Sequence, residues 1–199
     1  MRGDSGLGDI TFMARYTAYQ NDRPGETLRV APFAGIEAPT GNDDDRDSLG
    51  KLPQSLQLGS GSWDPFVGVV GTWQTIEREI DVAVTVKFNT RANGFEFGNE
   101  ARFDASYQRR VWPRNLGGGV PAFFYAVFES NLAWRDRNEM GGAKEPDSGG
   151  TAWHLTPGVQ YVTKRYVAEA AVQLPVVQNL NGEALENDFI AAASVRMNF

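Results

Sequence analysis

The sequence predicts an all-β chain, an antiparallel up-and-down transmembrane β-barrel in a single domain, with about nine strands present. Three observations predict it. Long segments alternate apolar and polar residues with a period of two, running to ten or more residues where strands of soluble sheets average about five or six. Aromatic residues recur ten positions apart at the two ends of the apolar faces (Trp63 and Trp73, Phe97 and Tyr107, Phe124 and Trp134, Phe189 and Phe199), as girdles at two membrane interfaces require. The connections alternate between short and long, the asymmetry of outer-membrane barrels.

Residues 8–20 open the series. Ile10, Phe12, Ala14, Tyr16 and Ala18 share one face, and Thr11, Met13, Arg15 and Thr17 the other. Residues 21–25, Asn-Asp-Arg-Pro-Gly, make a turn by composition. The second strand, 27–39, sets Leu28, Val30, Pro32, Ala34 and Ile36 outward and Arg29, Gly35 and Glu37 inward. Pro32 has no ladder donor, which predicts a bulge or local break. Residues 40–62 are polar and aperiodic, a large loop carrying the acidic run 43–47.

The strand 63–73 follows, with Val67 and Val69 between its two tryptophans. A turn at 75–78 leads to 80–89, where Ile80, Val82, Val84, Val86 and Phe88 oppose Asp81, Thr85, Lys87 and Asn89. After a loop at 92–94, the strand 97–112 sets Phe97, Ala101, Phe103, Ala105 and Tyr107 against Arg102, Asp104, Ser106, Gln108 and Arg110. A turn at 113–119 precedes 122–135, with Phe124, Ala126, Phe128, Leu132 and Trp134 opposite Glu129, Asn131 and Arg135. Residues 137–150 form a second long polar loop.

Strand 152–161 has Trp153, Leu155, Val159 and Tyr161 outward and His154, Thr156 and Gln160 inward. Strand 166–176 sets Ala168, Ala170, Val172 and Leu174 against Glu169 and Gln173. A loop at 177–187 leads to the terminal strand 189–199, whose apolar face is Phe189, Ala191, Ala193, Val195, Met197 and Phe199. At ~3.3 Å per residue and a tilt near ~40°, its ten-residue interval rises about 25 Å, the height of a barrel's apolar band. A strand that ends on phenylalanine resembles the C-terminal assembly signal of bacterial outer-membrane proteins, which implies the barrel-assembly machinery as a partner.

With Phe199 on the periplasmic side, the turns at 21–25, 75–78, 113–119 and 162–165 fall there and the loops at 40–62 and 137–150 fall outside. The same count makes 8–20 run inward. A single-chain bacterial barrel has an even number of strands and a first strand running outward, so at least one further strand, and a signal peptide, are expected ahead of this segment.

Composition agrees with a barrel. Mean hydropathy is -0.39, so no stretch makes an apolar membrane-spanning helix, whereas alternating strands keep the mean polar. There is no cysteine, hence no disulfide framework or thiol chemistry. The net charge of -6 argues against nucleic acid as a partner.

Three motifs occur in order: Gly6-Leu7-Gly8-Asp9-Ile10 at the start of a strand, Ala38-Pro39-Thr40-Gly41 at the end of the next, and Leu58-Gly59-Ser60-Gly61-Ser62-Trp63-Asp64-Pro65 at the start of the third. Together they resemble the outer-membrane barrel family named for the meta-pathway of phenol degradation, over essentially the whole chain. The resemblance implies the bacterial outer membrane as location and a passive channel for small aromatic or otherwise hydrophobic molecules. It implies further strands before Gly6 as well. The alternatives are a structural or adhesive barrel acting through its loops, and a barrel lipid hydrolase.

Function in such a barrel would reside on the inward parity. The candidate pore-lining residues are Arg15, Arg29, Glu37, Asp81, Lys87, Arg102, Asp104, Arg110, Glu129, Arg135, Glu169 and Arg196. Their signs nearly balance, so steep charge selectivity is not expected. Arg102, Asp104, Glu129 and Arg196 are the candidates for a charged constriction. Trp63, Trp73, Trp134, Trp153, Tyr161 and Phe199 are the candidate membrane-interface residues, against lipid and lipopolysaccharide. The only histidine, His154, has no Gly-x-Ser-x-Gly elbow to serve, and it reads as a structural hydrogen-bonding residue. The 43–47 run lacks calcium-loop spacing and reads as a solvated surface loop. No catalytic residue, cofactor or metal site is expected; the partner is a small-molecule solute.

Overall fold

Strands form where the period-two alternation runs. A computed structural model describes residues 5–117 and 122–198. Its strands are β1 (Ile10–Arg15), β2 (Tyr19–Arg23), β3 (Glu26–Ala38), β4 (Arg46–Asp47), β5 (Gly50–Lys51), β6 (Asp64–Thr75), β7 (Arg78–Lys87), β8 (Phe95–Glu96), β9 (Glu100–Trp112), β10 (Phe123–Arg135), β11 (Glu139–Met140), β12 (Ala143–Lys144), β13 (Gly150–Val162), β14 (Tyr166–Leu180) and β15 (Ile190–Met197). The fold is all-β and antiparallel. One sheet has the order β1-β3-β6-β7-β9-β10-β13-β14-β15, with β2 also on β3. Since β1 and β2 are two halves of one interrupted strand, the sheet has the nine strand positions expected, each beside its neighbour in sequence.

The described sheet is open. No ladder joins β1 to β15, and after eight antiparallel steps these two edges run in the same direction. Antiparallel closure between them takes an odd number of further strands.

The break expected at Pro32 falls on the partner strand. β3 pairs with β6 straight through Pro32 and Val69. The Pro32 carbonyl accepts from Tyr16 N–H at 3.0 Å, so the donor that proline lacks would have pointed to the same neighbour. There the ladder lapses, and its register moves by one residue, from Arg15 opposite Phe33 to Tyr19 opposite Val30. The slip corrects the expected parity: Tyr19, rather than Ala18, continues the outward row. Two more bulges act alike. Val111 is skipped between Arg110 and Trp112, which turns Trp112 outward opposite Phe124. Val176 is skipped between Pro175 and Val177, so β14 continues to Leu180 although its alternation lapses where a loop was expected. Strand β9 begins at Glu100. Phe97 lies in the preceding loop, edge-on to Phe95 at 4.9 Å, and is not a girdle residue.

The connections after β3, β7, β10 and β14 leave one end of the sheet; the other end carries the short turns after β2, β6 and β13 and the connection from β9 to β10, of which the expected turn 113–119 lies partly outside the described residues. The loop end is ordered: β12, β11 and β8 form a second small sheet, and β4 and β5 a hairpin inside the expected loop 40–62.

The two faces of the main sheet differ in kind. The outward row carries exposed Leu28, Val67, Val84, Phe103, Phe128, Leu132, Val159 and Val172. The other face carries the charged and amide side chains and is the more shielded. Few apolar side chains are buried among the described residues: Ala31, Ala38, Leu52 and Val167. On the polar face, the Phe66 ring covers Gly35 and the Phe33 ring covers Gly68, where any Cβ would collide with the ring opposite. The two rings fill the space above the glycines beside the continuous ladder that joins β3 and β6.

Candidate functional site

The three sequence motifs meet in one knot at the loop end. Asp9, just before β1, accepts Gly41 N–H at 2.8 Å, Ser60 N–H at 2.7 Å and the Ser60 hydroxyl at 2.8 Å. Thr40 accepts Ile10 N–H at 2.9 Å and donates to the Gly8 carbonyl at 3.2 Å. Glycine is required by closeness: a Cβ on Gly41 would lie 2.7 Å from the Leu58 carbonyl oxygen, and one on Gly59 would strike the Gly41 carbonyl. Burial pushes the Asp9 carboxyl up, but the hydrogen bonds from Ser60 and Gly41 outweigh it and hold it below its ordinary 3.8.

Below the knot, Lys87 of β7 serves two carboxylates. Its Nζ is 3.1 Å from Glu37 Oε2 and 3.9 Å from Asp64 Oδ2. Asp64 is fully buried; it accepts Thr90 N–H at 2.8 Å and the Ser62 hydroxyl at 3.1 Å. Glu37, Asp64 and Lys87 line a vestibule of about 700 Å³ that also touches Asp9, Gln57, Glu100 and Asp147. One cavity thus reaches from the β1 side of the sheet to the loop before β13.

The strand registers put all twelve candidate pore-lining residues on the polar face. They are largely paired. Arg102 lies 3.2 Å from Asp104, which also accepts from Asn131 at 2.9 Å. Arg135 bonds Glu100 through Nε, and Asp81 accepts the Thr72 hydroxyl. Arg110 is buried near the turn end, 5.8 Å from the Phe123 ring and 3.9 Å from Glu77. The four constriction candidates do not converge. Arg102 and Asp104 adjoin, and Glu129 sits on the next strand opposite Thr156 and Ser106. Arg196 is near the turn end of β15, 4.0 Å from Glu169. Asp64, Glu79 and Glu100 also belong to the face; each sits near a strand end, where the alternation begins or stops.

Of the interface candidates, Trp63, Trp134 and Trp153 are exposed toward the loop end and Tyr161 toward the turn end. Trp73, also at the turn end, is half-buried and donates to Glu26 at 2.7 Å. Phe199 lies outside the described residues. Trp112 and Tyr166 join the turn-end row, 55% and 47% exposed. Parity alone hid Trp112, because the Val111 bulge reverses it. In the acidic run, Asp44 pairs with Arg46 at 3.3 Å and Lys51 at 3.5 Å, and Arg46 foremost holds its carboxyl below the ordinary range. Among the described residues, no group of three or more His, Asp or Glu could hold a metal ion.

The chain is an all-β protein whose main antiparallel sheet has one exposed apolar face and one more shielded, charged face. It belongs to the family described as "Putative MetA-pathway of phenol degradation", which matches residues 2–173. The match ends within β14, so β15 lies beyond it. No curated protein matches the chain.

Proposed function

We propose that the chain is part of an outer-membrane β-barrel whose polar face lines a passive channel for small molecules, aromatic or otherwise hydrophobic ones in keeping with the family. The observation that carries this reading is the inversion of faces. A water-soluble sheet buries its apolar row, whereas here the apolar row is exposed along strands of up to 15 residues and the charges face inward. Thirteen-residue strands such as β3, β9, β10 and β13 cross an apolar band of ~25 Å at ordinary barrel tilts. The end that carries the loops after β3, β7, β10 and β14 then faces the cell exterior, and the other end the periplasm. Lipid and lipopolysaccharide surround the barrel, and the assembly machinery receives β15. The paired charges make a weakly selective pore, and no catalytic role is assigned to any residue.

The test is planar-bilayer conductance of the protein refolded in detergent. Discrete conductance steps are the expected result, with a step size altered by Arg102→Ser. Insertion without conductance would refute the channel and favour a structural barrel. Hydrolysis of phospholipid or lipopolysaccharide would refute the non-enzymatic reading.

A further inference from the structure

We propose that the cavity beneath the 181–189 loop binds a small organic acid, a carboxylate on a compact apolar body. Its volume of about 380 Å³ falls in the lower range of small-molecule pockets. The floor is the polar face of β9, β10, β13 and β14, and the roof is Ala184, Leu185 and Asn187. The roof is tied down: Gln178 donates to the Asn187 carbonyl at 3.0 Å and accepts Asn187 N–H at 2.8 Å, while Asn181 donates to the Ser148 carbonyl at 2.8 Å.

The lining sorts by chemistry. Its charged side chains are Arg102 and Arg135, and no carboxylate lines it, although carboxylates predominate in the adjoining vestibule. Arg135 uses Nε on Glu100, and its terminal amino groups make no hydrogen bond among the described residues. Neither Glu100 nor Asp104, which hold the two guanidinium groups, reaches the cavity wall. His154 also lines it, and its Nε2 is buried without a hydrogen-bond partner. Planar guanidinium donors match the two oxygens of a carboxylate. The remaining wall sets Leu180, Leu185 and small residues among the amides of Asn131, Gln173, Gln178 and Asn187, and Leu185 is 93% exposed. An apolar body of one ring's size would cover it.

The site rests on the channel reading only for the route by which solute arrives; equilibrium binding needs no flux. The experiment is equilibrium dialysis of benzoate, benzyl alcohol and inorganic phosphate against the refolded chain, with folding checked by circular dichroism. Saturable benzoate binding is expected, about tenfold or more tighter than benzyl alcohol. Arg135→Gln should weaken it about tenfold. Leu185→Ser, on the exposed loop, should weaken benzoate while leaving the fold intact. Equal binding of benzyl alcohol, equal competition by phosphate, or folded variants that bind benzoate unchanged would each overturn the proposal. Conductance without benzoate binding defeats this site alone; benzoate binding without conductance defeats the channel alone.

Discussion

Asp9 accepts both the backbone N–H and the hydroxyl of Ser60, at 2.7 and 2.8 Å, across 51 positions of sequence. With Gly41, that contact ties the start of β1, the end of β3 and the approach to β6 into one rim. Short motifs far apart in the chain are thereby a single structural unit.

Asp9→Ala removes three hydrogen bonds to a charged acceptor and should cost about 2–4 kcal/mol, since such bonds are worth more than neutral ones. Proteolysis within residues 41–62 should speed up while the β7–β13 region stays protected. Unchanged cleavage of that loop would show that the knot does not hold it.

The same carboxylate sets a pH dependence. Its folded pKa is depressed below 3.8, so its contribution to stability is complete above that value and is lost as pH falls through the folded pKa. Loop 41–62 should therefore open selectively below about pH 3.8, and Asp9→Asn should abolish that step. Proteolysis across an acid series would read it; an identical transition in both proteins contradicts the assignment.

Gly59→Val should destabilise at least as much as Asp9→Ala, because the added side chain meets backbone at Gly41 rather than a yielding side chain. Gly94→Ala meets open space but sits at φ +78°, so its cost should be the backbone strain of about 1–2 kcal/mol alone. Unfolding in urea compares the two, and equal losses would refute the close-approach argument.

Lys87→Met leaves buried Asp64 and half-buried Glu37 without their cation. It should cost about 2–4 kcal/mol, and adding Asp64→Asn should recover part of that loss. A double variant as unstable as the sum of the two single ones would show that the lysine does not act through Asp64.

Much of the main sheet was legible because each strand must present alternate residues to two different surroundings, and the nine strand positions follow from that period. What parity could not supply were the bulges. Nothing local marks Val111 or Val176 as the skipped residue, and each reverses everything beyond it, which hid Trp112 and lengthened β14. Pro32 announced a defect but not the strand that would bear it. The loops were illegible for a different reason: β8, β11 and β12 are two-residue strands, too short to carry a period, and β8 pairs with β11 from a distant segment. The charged face could be read as a list but not as a site. Arg196 and Arg102 share its parity, yet three strand positions separate their strands.

The most direct test of the central claim uses the absence of native cysteine. Val84→Cys and Leu132→Cys place single thiols on the apolar row, and Thr85→Cys and Ala133→Cys place them one residue away on the polar face. In the refolded, lipid-reconstituted protein, a charged maleimide should label positions 85 and 133 and leave 84 and 132 unmodified. Fluorophores attached at 84 and 132 before reconstitution should be quenched by brominated acyl chains. Equal aqueous labelling at all four positions would contradict a membrane-facing apolar row, and with it the barrel.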